Sequence, residues 1–389
     1  MNLVVFSHKP CWPSATSPSG YASDGGFPMQ MAALSELFNQ TTLVVPVTDS
    51  AATAGEVPLT GHHLRIAPLS LPAGEDFRRK LNLLPWLIKN APKLLKQVWQ
   101  ADAVHVPIPG DIGTLGMLLA FALRKPLCVR YCGNWFVSHT TAERLWKWFM
   151  ERFAGGRNVM LATGGDIQPP SRNPSVRWIF STSLTEQELQ RTRRPRTLKP
   201  DGAFRLIIVC RQELGKGTDI IIQSLPLLAG QFPNLHLDVV GAGGGLAFFK
   251  QLAASLNLTD RVSFHGKVNH DGVLRLLDQA DLFCYPTESE GFPKVVVEAL
   301  ACGLPVVTTN VSILPNLVGT GSGIVLDASN KVAPETLASA IRECLSDEAR
   351  YQTMSATALA TARQYSLERW RDTIGDLLRA SWRKQLSDA

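Results

Sequence analysis

Residues 282–307 read LFCYPTESEGFPKVVVEALACGLPVV. Leu282–Tyr285 is a short apolar and aromatic run that stops at Pro286 and gives way to the polar stretch Thr287–Glu290. Gly291 permits a tight backbone approach, and Pro293 suits a first helical turn, where a fixed φ and a missing N–H do no harm. Gly303-Leu304-Pro305 ends the helix, and a β-branched run, Pro305–Thr308, follows it. Strand, polar loop, short helix, strand is a unit of a parallel sheet, and its loop lies at the carboxyl end of a strand, where such sheets bind ligands. Unpaired N–H groups at the helix start, together with the helix dipole, make a seat for a phosphate. Glu290 falls at the mouth of the loop and Glu298 about one and a half turns into the helix. On spacing alone the two are either surface carboxylates or a pair that accepts hydrogen bonds from vicinal hydroxyls such as those of a sugar and a ribose.

The same alternation extends in both directions. Candidate strands in the first half are Leu3–Ser7, Leu43–Val47, Ala103–Val106, Leu127–Tyr131 and Val159–Ala162. After the Pro- and Arg-rich segment Arg191–Pro200, read as a linker or exposed loop, come Arg205–Val209, Leu235–Val240, Val262–His265, Leu282–Tyr285, Pro305–Thr308 and Gly323–Val325. At 389 residues the chain exceeds the roughly 250–300 at which one core stops growing. The expectation is therefore α/β, with two Rossmann-like doubly wound domains, residues 1–190 and 200–366. The amphipathic stretch 367–389 is too far from the last strand to be needed there and is expected to return to the first domain.

Other loops carry polar residues. Arg211 and Lys216, in Cys210-Arg211-Gln212-Glu213-Leu214-Gly215-Lys216-Gly217-Thr218, follow the first strand of the second half. They are either solvated charges or two fixed cations able to hold a diphosphate. Gly241-Ala242-Gly243-Gly244-Gly245 resembles a nucleotide loop but is not GxGxxG, since Leu246 stands at the third position, so a dehydrogenase reading is weak. Gly25-Gly26 precedes the helical pattern Phe27–Phe38, as a surface loop or as a ligand's approach to a helix start. His105 closes a strand, His139 falls in a loop, and no HExxH, GxSxG or Walker A sequence is present.

Charge is unevenly spread. The chain carries +6 overall, yet up to Pro200 there are 22 Lys/Arg against 13 Asp/Glu, while the rest has 17 against 20, so the whole surplus sits in the first half. Residues 75–100 and 143–157 interleave Trp, Leu and Phe with Lys and Arg, either as a solvated basic face or as interfacial helices facing anionic lipid. No nucleic-acid signature accompanies the charge. The longest apolar run, Gly113–Leu123, is too short to cross a bilayer. Met1–Phe6 reads as a buried strand and not as a leader. Seven cysteines without a CxxC pair suit reduced thiols. A cytoplasmic chain, with peripheral attachment to the inner membrane face, is the expectation.

From Phe204 to about Trp370 the ordered set of Arg211 with Lys216-Gly217, Val240-Gly241-Ala242-Gly243, Val262–Val268, Ala280–Phe283, Glu290 and Glu298 eight residues apart, the run to Val307, and Tyr365–Trp370 resembles the retaining glycosyltransferases of family 4, the group 1 glycosyl transferases of GT-B type. The resemblance implies two Rossmann-like domains facing each other across a cleft. The first would take the acceptor and the second a nucleotide sugar, UDP- or GDP-linked, as co-substrate without cofactor or metal. By it, Arg211 and Lys216 hold the diphosphate, Glu298 the ribose, and Glu290 the donor sugar, assisted by Gly291, Phe292 and Pro293. Lys267 and Val268 meet the base, and Gly241 and Gly243 line the donor loop. Gly25 and Gly26 match the family's N-terminal glycine loop, and His105 a histidine near the acceptor. Cys210 departs from the usual Gly before the Arg, and Phe180–Leu184 from the usual Asn-Gly-Val-Asp.

The function expected on this footing is a retaining hexosyltransferase of glycan or cell-envelope biosynthesis acting on a saccharide or lipid-linked acceptor. A nucleotide-sugar epimerase of the same architecture and a non-catalytic nucleotide-sugar-binding protein are the alternatives.

Overall fold

The computed structural model describes residues 1–49, 56–71, 74, 76–138, 140–165, 168–191, 193, 195–382 and 386, without the side chains of 76–81. His139 lies outside the described residues. The chain divides into two compact units, Met1–Ser183 with Leu367–Ala389, and Leu184–Ser366.

In the first unit the chain runs β1 (Asn2–Phe6), β2 (Trp12–Pro13), β3 (Tyr21–Asp24), α1 (Phe27–Ser35), β4 (Gln40–Pro46), β5 (Glu56–Pro58), β6 (Leu64–Leu69) and α2 (Asp76–Gln100). It continues through β7 (Ala103–Ile108), α3 (Asp111–Ala122), β8 (Leu127–Tyr131), α4 (Thr141–Phe153), β9 (Asn158–Thr163) and β10 (Val176–Ile179). Seven strands form one parallel sheet in the order β10-β9-β8-β7-β1-β4-β6, and β2, β3 and β5 form a small antiparallel sheet beside it. Every residue of β7, β8 and β9 is buried, as a parallel sheet covered on both faces requires. Alternation assigns the faces. Val104, Val106 and Val129 join one cluster with Trp86, Leu94 and Val98 of α2, Met117 of α3 and Phe149 of α4. Leu3, Val5 and Ala103 join the other with Met31 and Leu34 of α1 and with Trp370, Ile374, Leu378 and Trp382 of the C-terminal helix, Leu367–Trp382.

That C-terminal helix is held by specific contacts as well as by burial. Trp370 is fully buried beneath the Arg130 guanidinium, 5.3 Å from its ring centre. Trp382 Nε1 donates to the Arg157 carbonyl at 3.0 Å, and Arg371 pairs with Glu36. Two strands absent from the sequence reading, β6 and β10, are the two edges of the sheet. β6 carries Pro68 and alternates partly exposed residues, which an edge tolerates and which hides it from a search for apolar runs.

The second unit runs α5 (Glu186–Gln190), β11 (Arg205–Val209), α6 (Thr218–Leu228), β12 (His236–Val240), α7 (Leu246–Ser255), β13 (Val262–Gly266), α8 (His270–Gln279), β14 (Leu282–Tyr285) and α9 (Lys294–Ala301). It ends with β15 (Val306–Thr309), α10 (Leu314–Val318), β16 (Gly323–Leu326), α11 (Pro334–Leu345) and α12 (Glu348–Ala362). Its parallel sheet has the order β13-β12-β11-β14-β15-β16. α6 packs between α7 and α11, and α9 between α8 and α12. The segment read as a linker is fastened to this unit. Arg196 donates to the carbonyls of Leu277 at 3.1 Å, Ala280 at 2.6 Å and Cys302 at 2.8 Å, closing the carboxyl ends of α8 and α9.

Trp370→Ala removes the largest fully buried side chain of the C-terminal helix. It should cost about 3–5 kcal/mol of stability in urea unfolding, and a loss under about 1 kcal/mol would refute the docking of this helix on the first unit.

Candidate functional site

Both sheets wind outward from a central pair, and in the second unit that pair is β11 and β14. Consecutive connections leave these strands in opposite directions, so a crevice opens at their carboxyl ends. Two loops meet there. Residues 210–217 leave β11 and residues 286–293 leave β14, and the Glu288 N–H donates to the Gly215 carbonyl at 2.9 Å. Gly217 adopts φ +88°, and a Cβ there would come within 2.5 Å of the Pro286 carbonyl oxygen, so only glycine lets the start of α6 lie against the second loop.

Lys216 reaches across this contact. Its Nζ lies 2.6 Å from Glu290 Oε1 and 2.8 Å from the Ser289 carbonyl, and the Tyr285 hydroxyl donates to the same Glu290 oxygen. Burial and the neighbouring Glu290 carboxylate hold the Tyr285 phenol well above its ordinary pKa, so it remains a donor. Arg211 is exposed on the same loop, and its guanidinium makes no ion pair among the described residues. Gly291, Phe292 and Pro293 lead into α9. Pro293 stands one residue before the helix, as its N-cap, instead of inside the first turn. Phe292 is buried with its ring 5.8 Å from that of Tyr365, and Ser312 Oγ donates to the Gly291 carbonyl at 2.8 Å. The loop is thus braced by Tyr365 and Ser312.

Glu298 lies on the first turns of α9 and is 8% exposed. Burial pushes its carboxyl pKa up, while His270 and Lys294 draw it partly back. His270, first residue of α8, stands between two carboxylates, its Nδ1 3.6 Å from Glu298 Oε1 and its Nε2 3.8 Å from Glu188 Oε1. Burial disfavours the imidazolium, yet Glu188, Glu298 and Asp271 outweigh it and the His270 pKa is raised. Glu188 is half-buried, which by itself would raise its pKa, but His270 and the Thr185 N–H and hydroxyl, each 2.8 Å from Glu188 Oε2, bring it down to about 2. This carboxylate, imidazole, carboxylate series escaped the sequence reading because its members are 82 and 28 residues apart and α5 offers no chemical motif of its own.

Gly241 and Gly243 follow β12, and their role is visible in the packing. A Cβ at Gly241, where φ is +121°, would fall 1.8 Å from the Cys210 carbonyl oxygen, and one at Gly243 would fall 2.4 Å from that of Gln212. Gln212 fixes this contact. Fully buried, it donates from Nε2 to the Val240 carbonyl at 2.9 Å and accepts from the Thr218 hydroxyl at 2.8 Å. The burial of Gln212 was not legible in the sequence, where it stood as an ordinary polar loop residue. Cys210 lies at this same contact, and burial pushes its thiol to about 12, so the departure from Gly brings no nucleophile. Lys267 and Val268 follow β13 and precede α8, on the same carboxyl edge of the sheet.

In the first unit the expected residues separate. Gly25 and Gly26 stand at the start of α1, Gly25 with φ +66° and Gly26 as the N-cap. His105 does not reach a surface. It is 1% exposed in the middle of β7, its Nδ1 bonded to the Cys128 carbonyl at 3.1 Å, and burial and Arg130 lower its pKa to about 3. The expectation that it serves an acceptor is corrected accordingly. Alternation along β7 turns it to the same face as Ala103, into the packing under the C-terminal helix. The exposed histidine at the carboxyl edge, between the ends of β1 and β7, is His8, which lies against Gly110.

Residues 190–360 match the family model of the group 1 glycosyl transferases. Glycogen synthase of Mycobacterium tuberculosis is 34% identical over 184 residues, 47% of this chain and 41% of the relative. The phosphatidylinositol N-acetylglucosaminyltransferase gpi3 subunit of Schizosaccharomyces pombe is 27% identical over 148 residues, 38% of this chain and 32% of the relative. Matches of this kind span 25 to 42% of the curated relatives' own length. Among solved structures, sucrose-phosphate synthase from Thermosynechococcus elongatus superposes with TM-score 0.71 at 17% identity, over 98% of this chain and 99% of the other. Anabaena HepE, in complex with UDP and glucose, does so with TM-score 0.68 at 18% identity, over 98% and 100%. The likeness is one of fold, the two Rossmann-like domains of the GT-B type.

His270→Gln should change how stability depends on pH. A raised folded-state pKa means that the imidazolium's contribution is fully present below the ordinary value of 6.5 and is lost as pH rises through the raised one. Urea unfolding should show wild type more stable than the variant at about pH 5.5 and the gap closing towards about pH 8.5. A pH-independent gap would mean that His270 is not charged between the two glutamates.

Proposed function

We propose that the chain transfers a hexose from a UDP- or GDP-linked donor to a saccharide or lipid-linked acceptor in glycan or envelope biosynthesis, with retention of anomeric configuration and without a metal. The observation that carries this reading is the meeting of Lys216 and Glu290 at the switch point of the second sheet, with Arg211 on the same loop and Glu298 on the helix behind. The match of residues 190–360 to the group 1 family supports it, as does a fold neighbour bound to UDP and glucose.

In this reading the donor's diphosphate draws Lys216 and Arg211, whose charges offset the negative charge that grows on the leaving phosphate. N–H groups entering α9 at Gly291 and Phe292 add to the same field. Once Lys216 turns to phosphate, Glu290 can accept from a hydroxyl of the donor sugar. Glu298 takes the ribose hydroxyls, held in place by His270, which is steadied by Glu188. Lys267 and Val268 meet the base. Gly241 and Gly243 act indirectly, by allowing the contact that positions Arg211. The acceptor hydroxyl attacks on the face the diphosphate leaves, and a phosphate oxygen takes its proton, so no separate protein base is required. The first unit is assigned the acceptor, with Gly25-Gly26 at the start of α1.

Calorimetric titration of UDP, GDP, ADP and their sugar conjugates in EDTA tests the donor site. One base should be selected, and Glu298→Ala should weaken that donor at least tenfold, about 1.4 kcal/mol, with an unchanged circular dichroism spectrum. Lys216→Ala should slow transfer about 10²–10³-fold. Near-normal turnover in Glu298→Ala would overturn the assignment, and a new sugar nucleotide formed with no acceptor present would mark an epimerase instead.

A further inference from the structure

We propose that the helices α2, α3 and α4 of the first unit form a docking surface for an anionic lipid bilayer, entered by one stripe of α2 and by Trp148 of α4. The observations lie wholly in the first unit and are independent of the donor site.

At 100° per residue α2 presents three distinct faces. Trp86, Asn90, Leu94 and Val98, four apart, are buried, and the three apolar ones join the core on the sheet. Leu84, Ile88, Leu95 and Trp99 fall within about 60° of one another, yet they are 65, 69, 45 and 75% exposed. Lys89, Lys93 and Lys96 occupy the sector between these two, and no acidic residue occurs from Phe77 to Gln100. An amphipathic helix that needed only to cover the sheet would place polar residues where this apolar stripe stands.

α4, which packs on α3 through Phe121 with Phe149 and Phe153, repeats the combination along one row, beside the exposed Glu151. Arg144, Trp148 and Arg152 form a single row four residues apart on α4, all three exposed. α2, α3 and α4 share one core cluster on one face of the sheet, so the α2 stripe and the α4 row belong to the same outer layer. Large apolar side chains exposed among cations on one layer mark an interaction surface.

The charge selects the partner. Lysine stems reach past an apolar stripe to anionic headgroups, tryptophans settle at the boundary between headgroup and acyl chain, and a basic helix whose one acid is its first residue, Asp76, is attracted to an anionic leaflet. A second copy meeting the same patch across a two-fold axis would set lysine rows against each other, which disfavours a dimer here.

Sedimentation of the full chain with vesicles is the test. Phosphatidylcholine vesicles containing about a third phosphatidylglycerol should pellet the protein at low salt, pure phosphatidylcholine should not, and about 0.5 M NaCl should reduce binding several-fold. Ile88→Ser with Trp99→Ser should lower binding to the anionic vesicles at least tenfold, and Lys89→Gln with Lys96→Gln should lower it and flatten the salt dependence, with thermal midpoint and nucleotide binding unchanged in both. No pelleting at low salt would overturn the proposal. So would binding that ignores both double variants, or a dimer in sedimentation velocity that the Ile88/Trp99 variant dissolves while vesicles leave the wild type in solution.

Discussion

Parallel strands joined by right-handed crossovers must deliver every loop that precedes a helix to the carboxyl edge of the sheet, and winding outward in both directions from one strand pair must leave a crevice between the loops of that pair. The second unit hangs its chemistry on this constraint. β11 and β14 are neighbours although Arg205 and Leu282 are 77 positions apart, and the constraint brings Lys216 to Glu290 across 74 residues of sequence. Neither residue has a reason to meet the other in any local property of the chain. The supports are equally non-local: Gln212 ties the β11 loop to β12, Ser312 ties the β14 loop to the turn after β15, and Gly217 lets the two loops touch.

What was legible in the sequence follows from this division between local and non-local. Short β-branched runs punctuated by Gly and Pro identify the interior strands, because those strands are buried on both faces and carry little else. The edges β6 and β10 were not found, since an edge admits Pro68 and a half-exposed Arg177 or Trp178 that break the apolar run. The polar loops after β11 and β14 were legible as loops, and the identities of Arg211, Lys216, Glu290 and Glu298 within them followed from their order. Glu188 and His270 were not, because a carboxylate on a five-residue helix and a histidine starting an amphipathic one have no distinguishing pattern until the fold places them beside Glu298.

His105 marks the limit of carrying a role by position in a list of motifs. In sequence it is a histidine at the end of a strand in the expected half of the chain; in the structure β7 continues past it to Ile108. That extension of the strand decides its fate. A residue two or three positions short of the carboxyl edge points into a helix layer, and a neutral imidazole bonded to the Cys128 carbonyl is an economical filling for the space beneath the C-terminal helix. The edge itself is held by His8, which follows β1, the partner of β7 at this sheet's own point of reversal.

A physical criterion separates such residues from those that do something beyond folding. Sequences that fold well agree with themselves at every level, and local violations that persist are expected where function requires them. His105, neutral at its site, leaves its Nε2 without a partner among the described residues but places no charge in the interior. Glu298 is such a violation: a carboxyl group at 8% exposure, with its pKa pushed up by burial, would serve α9 better as an apolar residue, and the helix keeps it beside an imidazole whose own pKa is raised and a second carboxylate. The same test applied to the surface selects α2, where leucine, isoleucine and tryptophan stand in water next to lysines that folding alone would have placed there instead. A buried acid in one unit and an exposed apolar stripe in the other are opposite errors against the rule that sorts residues inside from outside. Each is stabilising only if something other than water meets it: hydroxyl donors in the first case, an apolar and anionic surface in the second.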